Sequence, residues 1–192
     1  MTRIAIFASG AGSNAEKIIQ YFKNHTSISI QLIVVNVPGA GVISIAEKEN
    51  IPFVIIEKEQ FFRGTGYLPE LKKHKINFIV LAGFLWKIPE VLIGAYPSSI
   101  INIHPALLPN YGGKGMYGMN VHRAVIRAGD KKSGITIHYV DEQYDNGDVI
   151  FQEACSISDE DTPESLAAKI QALEHAYYPK IVEQVVELQR QR

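Results

Sequence analysis

Three polar side chains that can move an acyl group follow apolar segments of this sequence. Asn102 and His104 are two residues apart in the apolar run 100–109, so on a strand both would point to the same side. Asp145 lies in a Gly-containing turn, 144–149. An amide, an imidazole and a carboxylate at strand ends can bind the oxyanion that forms when an amine attacks a carbonyl. The combination predicts acyl transfer without a Ser or Cys nucleophile.

Each of the three side chains has a distinct expected role. Asn102 can donate a hydrogen bond to the oxyanion, and a protonated His104 can donate another or protonate the leaving nitrogen. Asp145 would orient His104, raise the pKa of its imidazole and relay the amine's proton through water. The alternative is structural: turns and loops commonly contain Asn, His and Asp without any catalytic role.

Other histidines leave further interpretations open. His104, His138, Asp145 and Asp148 can in principle supply metal ligands, but no paired spacing such as H-x-x-x-H favours this, and no metal is expected. His138 is expected to pack or to support the site. His122, at the start of a helix, can either reach the site or cap that helix.

Alternating strands and helices would position these residues. Apolar runs predict strands at 3–8, 28–35, 53–56, 77–82 and 100–103, and helical spacing predicts helices at 15–23, 42–49, 67–74 and 88–95. Such alternation produces parallel βαβ units. A loop rich in Gly and Pro leads to a predicted helix near 121–128, and the later segments 134–140 and 149–157 predict antiparallel strands at one edge of the sheet. The fold class is therefore α/β: a Rossmann-like open sheet, mostly parallel, with antiparallel edge strands in the C-terminal half and helices on both faces.

A glycine-rich turn joins the first strand to the first helix. Residues 10–15 read GAGSNA and match G-x-G-x-x-A, a turn whose backbone N–H groups can approach a phosphate closely. The second strand ends at Asn36 with no acidic residue, so the ribose contact typical of a dinucleotide site is missing. A mononucleotide or a sugar phosphate fits better than NAD. The alternative is a simple tight connection in which Ser13 or Asn14 caps the helix.

The C-terminal segment predicts one long helix from about 163 to 188. Thr162 would be its N-cap and Pro163 its first helical residue. Pro179 would kink or divide this helix, because proline removes a backbone hydrogen bond and its ring clashes with the preceding turn.

Composition limits the classes of protein to which the chain can belong. With 192 residues, 46% of them hydrophobic, and a net charge of −1, the sequence predicts one globular domain, 1–192. No basic stretch suggests nucleic acid, and no apolar run approaches the roughly 18 residues of a membrane span. Cys155 is the single cysteine. The N-terminus lacks the features of a signal peptide, so we expect a soluble cytoplasmic protein.

Together these motifs resemble the phosphoribosylglycinamide formyltransferases of purine biosynthesis that use 10-formyltetrahydrofolate. The similarity covers essentially the whole chain, through ASGAGSN at 8–14, LAGFL at 81–85, INIHPALLP at 101–109, D-x-G at 145–147 and LEHAYYP at 173–179. The resemblance implies that Asn102, His104 and Asp145 take the catalytic positions. It also implies direct formyl transfer from the folate co-substrate to the amine of glycinamide ribonucleotide, with small-molecule partners only and a monomer or homodimer.

The resemblance further assigns substrate contacts. It implies that the ribonucleotide is bound by Gly12, Ser13, Asn14 and Glu174. It implies that the folate is bound by Arg63, Leu85, Trp86, Lys87, Ile88, Asn102, Asp141, Glu142, Gln143 and Tyr144. Residues 1–100 would form a phosphate-binding half and residues 101–192 a catalytic and folate-binding half. Trp86 stands where many members carry Arg, and the loop 111–119 would act as a lid that orders on ligand binding.

Three alternatives to this function remain open at the level of sequence. The folate donor could serve another acceptor, water in a hydrolase or methionyl-tRNA, although such relatives carry an additional domain for which we expect no room in this chain. The chain could instead be a non-catalytic nucleotide-binding domain. A nicotinamide-dependent oxidoreductase is disfavoured by Asn36.

Overall fold

Seven strands and seven helices make up the described chain. The computed structural model describes residues 1–191. The strands are β1 (Thr2–Ala8), β2 (Ile28–Val35), β3 (Phe53–Ile55), β4 (Phe78–Leu81), β5 (Ile100–His104), β6 (Lys132–Tyr139) and β7 (Val149–Ser156). The helices are α1 (Ser13–Phe22), α2 (Val42–Lys48), α3 (Lys58–Arg63), α4 (Leu68–Lys73), α5 (Glu90–Ala95), α6 (Met119–Ala128) and α7 (Pro163–Arg190). The sequence did not predict α3.

All seven strands form one sheet in the order β3-β2-β1-β4-β5-β6-β7. Strands β1 to β5 pair in parallel, whereas β6 runs antiparallel to β5 and β7 antiparallel to β6. The predicted class, a mostly parallel Rossmann-like sheet with antiparallel edge strands in the C-terminal half, is confirmed. Because parallel strands share a direction, their carboxyl ends meet at one edge of the sheet, where ligands bind in open α/β folds.

Successive residues of β1 show how the sheet is covered on both faces. Ile4 and Ile6 belong to a core with α1, α2, α6 and α7, whereas Ala5 and Phe7 belong to a core with α3, α4 and α5. This follows from the two-residue period of a strand, which sends alternate side chains to opposite faces. A sheet buried on both faces requires near-continuous apolar strands, as the sequence has.

Helix α7 crosses the sheet as one uninterrupted element. It begins as predicted, with Thr162 as N-cap and a capping box that Thr162 and Ser165 form. Of the two effects predicted for Pro179, a kink or a division, the division is wrong, because α7 continues through this residue. The preceding residue, Tyr178, is fully buried and donates its hydroxyl hydrogen bond to the carbonyl of Leu81 at 2.8 Å. This anchor on the sheet offsets the backbone hydrogen bond that proline removes. No helix within residues 1–191 is both long and apolar enough to cross a membrane.

Candidate active site

A cavity of about 520 Å³ opens at the carboxyl end of β5. Asn102 and His104 lie on that strand and both line the cavity. The loop after β6 brings Asp145 to the same cavity. Seven of the catalytic and substrate-binding residues assigned from the sequence share its wall: Asn14, Leu85, Asn102, His104, Tyr144, Asp145 and Glu174.

Asp145 is held between the two polar residues of β5. Its Oδ2 accepts a hydrogen bond from the backbone N–H of Gly113 at 2.9 Å and lies 3.5 Å from Nδ1 of His104. Its Oδ1 accepts from Nδ2 of Asn102 at 3.5 Å. Burial alone would raise the pKa of this carboxyl, but His138, His104 and the Gly113 N–H together hold the pKa below its usual value. Asp145 is therefore a carboxylate at neutral pH.

The imidazole of His104 has both nitrogens engaged inside the protein. The ring is buried, with 3% of the residue exposed, and Nε2 lies 2.8 Å from the backbone carbonyl oxygen of Tyr111. A carbonyl can only accept, so Nε2 carries a proton and Nδ1 is the nitrogen that titrates against Asp145. Burial lowers the pKa of His104 more than Asp145 and the Tyr111 carbonyl raise it. Asp145 thus acts on the pKa in the predicted direction, but desolvation outweighs the carboxylate and the pKa lies below its usual value.

His138 fixes the orientation of the Asn102 amide. Its Nδ1 donates to the carbonyl oxygen of Tyr139 at 2.7 Å. Because Nδ2 of Asn102 can only donate, Nε2 of His138 accepts from it at 3.1 Å. The second amide hydrogen of Asn102 points to Asp145 across the longer 3.5 Å contact. A ligand oxygen can take that second hydrogen at little cost, because the contact it replaces is long.

Another part of the cavity wall is formed near the start of α1. Gly12 is the N-cap of α1 with φ 83°, so neither Ser13 nor Asn14 caps the helix. The side chain of Asn14 donates from Nδ2 to Oε2 of Glu174 at 2.8 Å. Burial raises the pKa of Glu174, and the Asn14 hydrogen bond opposes that rise. The first N–H groups of α1 have no partners within the helix, which makes this end suitable for an anion.

Several expected contacts lie outside the cavity wall. Gly12 and Ser13 lie in the turn and helix start beside it, and seven expected folate contacts do not line it: Arg63, Trp86, Lys87, Ile88, Asp141, Glu142 and Gln143. Trp86 packs on aromatic rings of α3, with centroids 5.8 Å and 5.7 Å away. The side chain of Arg63 is 82% exposed and pairs with Glu59 at 3.5 Å. Asp141 accepts from the backbone N–H of Gln143 at 2.8 Å and so stabilises its own turn.

The structure adds residues that the sequence did not assign to the site. Lys114 and Tyr117 come from the loop before α6, and Gln171 comes from α7. Gln171 precedes Glu174 by three residues, so helical spacing alone would have put both on one face. His122 lines the cavity and does not cap α6.

One possible metal-ligand cluster in the described chain lies elsewhere, where His25, Glu183 and Glu187 approach one another. Nδ1 of His25 accepts from the backbone N–H groups of Ser27 and Ile28 at 3.2 Å and 3.0 Å. Nε2 therefore carries the proton and donates to Glu183 at 3.1 Å. An internal hydrogen bond accounts for this cluster without a metal.

Comparisons with known proteins agree with this geometry. A family model described as formyl transferase matches residues 2–182. The phosphoribosylglycinamide formyltransferase of Bacillus subtilis is 38% identical over 193 residues, covering 98% of this chain and 96% of that protein. The chloroplastic phosphoribosylglycinamide formyltransferase of Arabidopsis thaliana is 39% identical over 191 residues, covering 96% of this chain, which spans only 65% of that protein's length. The crystal structure of phosphoribosylglycinamide formyltransferase from Bacillus halodurans superposes with a TM-score of 0.87 at 40% identity, covering 96% of this chain and 95% of that one.

Proposed function

We propose that this chain, which belongs to the formyl transferase family, transfers the formyl group of 10-formyltetrahydrofolate to the amine of glycinamide ribonucleotide, a step of purine biosynthesis. The observation that carries the proposal is one cavity that two different groups of residues line. Asn102, His104 and Asp145 line one part, and Asn14 and Glu174 line another. A phosphorylated amine bound at α1 would thus meet the acyl chemistry in the same cavity.

The cavity also suits the folate donor. Its volume of about 520 Å³ falls in the range of roughly 300–1,000 Å³ that is typical of small-molecule sites. Gly83, Phe84 and Leu85 supply an apolar wall beside the catalytic trio. Backbone groups next to such a wall can hydrogen-bond the polar edge of a pterin, while the apolar surface covers its faces.

The reaction would proceed by direct attack of the neutral amine on the formyl carbon. The new C–N bond forms as the carbonyl π electrons move to oxygen, and Asn102 donates to that oxyanion in place of its 3.5 Å contact with Asp145. Asp145 accepts the proton of the attacking nitrogen, directly or through water. Asp145 passes this proton to Nδ1 of His104, which lies 3.5 Å from its Oδ2. The C–N bond to the folate then breaks as the folate nitrogen takes the proton from Nδ1, which returns His104 and Asp145 to their starting states.

The ribonucleotide phosphate would bind at the start of α1. Gly12 lets the turn adopt φ 83°, and the free N–H groups of Ser13 and Asn14 would point at the anion. Glu174 would accept hydrogen bonds from the ribose hydroxyls. In this proposal residues 1–100 contribute the glycine-rich turn that binds the phosphate, and residues 101–192 contribute Asn102, His104 and Asp145. The two halves act as one domain.

The test is an assay of formyl transfer with the purified protein. The protein is incubated with 10-formyltetrahydrofolate, with and without glycinamide ribonucleotide, and both folate deformylation and formylated ribonucleotide are measured. We expect one formylated ribonucleotide for each folate deformylated, and no turnover without the ribonucleotide. Release of formate without the ribonucleotide would identify a hydrolase instead, and binding of both ligands without turnover would identify a non-catalytic domain.

A further inference from the structure

His122 is a buried imidazole that the protein itself leaves unsatisfied. Only 5% of the residue is exposed. Its Nδ1 is fully buried and has no hydrogen-bond partner among residues 1–191. A buried polar nitrogen without a partner destabilises a folded protein, so the position requires an explanation.

Packing holds this imidazole in place. His122 lies on α6 beside Val121, which is fully buried, and three residues before Val125, which is 1% exposed. Both valines belong to the core that α1 and α7 share. The helix is therefore fixed on both sides of the imidazole. Nδ1 faces the protein interior, and the small accessible part of the residue lies in the cavity wall.

The neighbours of His122 indicate which part of the cavity it faces. α6 packs against α7, the helix that carries Gln171 and Glu174. The apolar wall at Phe84 instead belongs to the core on the other face of the sheet. His122 is thus on the side of the cavity that α1 and α7 form, and not on the side expected to hold the folate.

The charge state of His122 limits what it can bind. Burial lowers its pKa, and the nearby imidazole of His104 lowers it further. A neutral imidazole has one donor and one acceptor and no net charge. It therefore suits a hydroxyl or a carboxamide better than a phosphate.

We infer that His122 is a substrate-binding residue that hydrogen-bonds an uncharged polar group of the ribonucleotide, a ribose hydroxyl or the glycinamide carboxamide, between its phosphate and its amine. This inference rests on the proposed function, because it takes the ribonucleotide as the occupant of that side of the cavity. It assigns to His122 a binding role and no proton transfer. The contact would be made by Nε2, because Nδ1 is closed off from the cavity.

The inference predicts opposite changes in binding and stability. Replacing the imidazole with an apolar ring in His122→Phe removes the unsatisfied nitrogen, so the Tm of the free protein should rise. Binding of glycinamide ribonucleotide, measured by calorimetry without folate, should weaken by about tenfold or more. The kcat and the KM for 10-formyltetrahydrofolate should change less than about threefold, since only a ground-state contact of the other substrate is lost.

Ser133→Ala is the matched control. Ser133 is 3% exposed, and its Oγ is also buried without a partner, but it does not line the cavity. Its removal should leave ribonucleotide binding unchanged. If His122→Phe does not fold, His122→Asn places a polar side chain there that is too short to reach the ligand, and the same binding loss is expected.

Three outcomes would overturn the inference. If a folded His122 variant binds the ribonucleotide as tightly as the wild type, the inference is refuted. A raised KM for the folate alone would assign the imidazole to the other substrate, and a large fall in kcat at unchanged KM would make it part of the chemistry. All three comparisons require that the wild-type protein catalyses formyl transfer. If the wild type binds the ribonucleotide but never formylates it, the proposed function is refuted instead.

Discussion

The sharpest prediction concerns Asp145→Asn, which removes one negative charge and changes little else. Asp145 has φ 52°, in the left-handed region that Asn tolerates as well as Asp. The amide oxygen of Asn can still accept the 2.9 Å hydrogen bond from Gly113. The variant should therefore fold, and any loss of activity reports on the charge.

The size of the effect follows from one distance. When His104 is protonated during the reaction, its Nδ1 is a cation 3.5 Å from Oδ2 of Asp145. At an effective dielectric constant of about 20, two unit charges at that distance attract by about 5 kcal/mol. After allowance for residual solvation, we expect a loss of about 3–4 kcal/mol, a fall in kcat on the order of 10²–10³-fold.

The assay is steady-state formyl transfer at neutral pH, with folding checked by thermal melting. Asp148→Asn is the control, because Asp148 lies in the same turn but is exposed, and it should keep wild-type activity. A kcat for Asp145→Asn within tenfold of the wild type would refute the role of this carboxylate. If Asp145→Asn and Asp148→Asn lose activity equally, the loss comes from a disturbed turn and not from the missing charge of Asp145.

The same variant has a pH signature. Because the pKa of Asp145 is lowered in the folded protein, its charge stabilises the fold above the ordinary carboxyl pKa of about 3.9, and this contribution is lost as the pH falls through the lowered value. The free energy of unfolding of the wild type should therefore fall more steeply below about pH 4 than that of Asp145→Asn. Parallel denaturant titrations across that range measure the difference.

Three further predictions test the rest of the site. Because burial raises the pKa of Glu174, the ionised carboxylate destabilises the fold at high pH, and Glu174→Gln should raise the Tm at pH 8 and not at about pH 4. If the carboxylate contacts the ribose, the KM for the ribonucleotide should also rise about tenfold; an unchanged KM would exclude that contact. Gly12→Ala should lower the free energy of unfolding, measured with denaturant, by about 2 kcal/mol, because Gly12 has φ +83° and a Cβ there would lie 2.8 Å from Cβ of Val42 in α2. A Cβ at Gly10 meets nothing within 4 Å, so the control Gly10→Ala should be nearly neutral. Tyr111→Phe removes the 2.7 Å hydrogen bond from the Tyr111 hydroxyl to Asp130. This bond holds in place the residue whose backbone carbonyl accepts from His104, so kcat should fall about threefold to tenfold with the ribonucleotide KM unchanged. An unaltered kcat would show that this hydrogen bond is dispensable.

The sequence by itself determined the class of fold and the identity of the catalytic candidates. Apolar runs alternating with helical segments are a local property, and they require parallel βαβ units. Asn102 and His104 were predictable as a pair because two-residue spacing on a strand fixes their common side. The capping of α7 by Thr162 was likewise readable, since a capping residue acts within one turn of its own helix.

Only the tertiary structure decided how these residues behave. The pKa of His104 depends on how deeply the sheet and the loop at Tyr111 bury it, and burial outweighed the carboxylate that the sequence pointed to. Pro179 left α7 intact because the sheet anchors Tyr178 beside it. The sequence left open whether His122 reaches the site or caps its helix, and only the packing of α6 on α7 decided that it lines the cavity. Desolvation and the satisfaction of hydrogen bonds depend on residues distant in sequence, which local patterns do not encode.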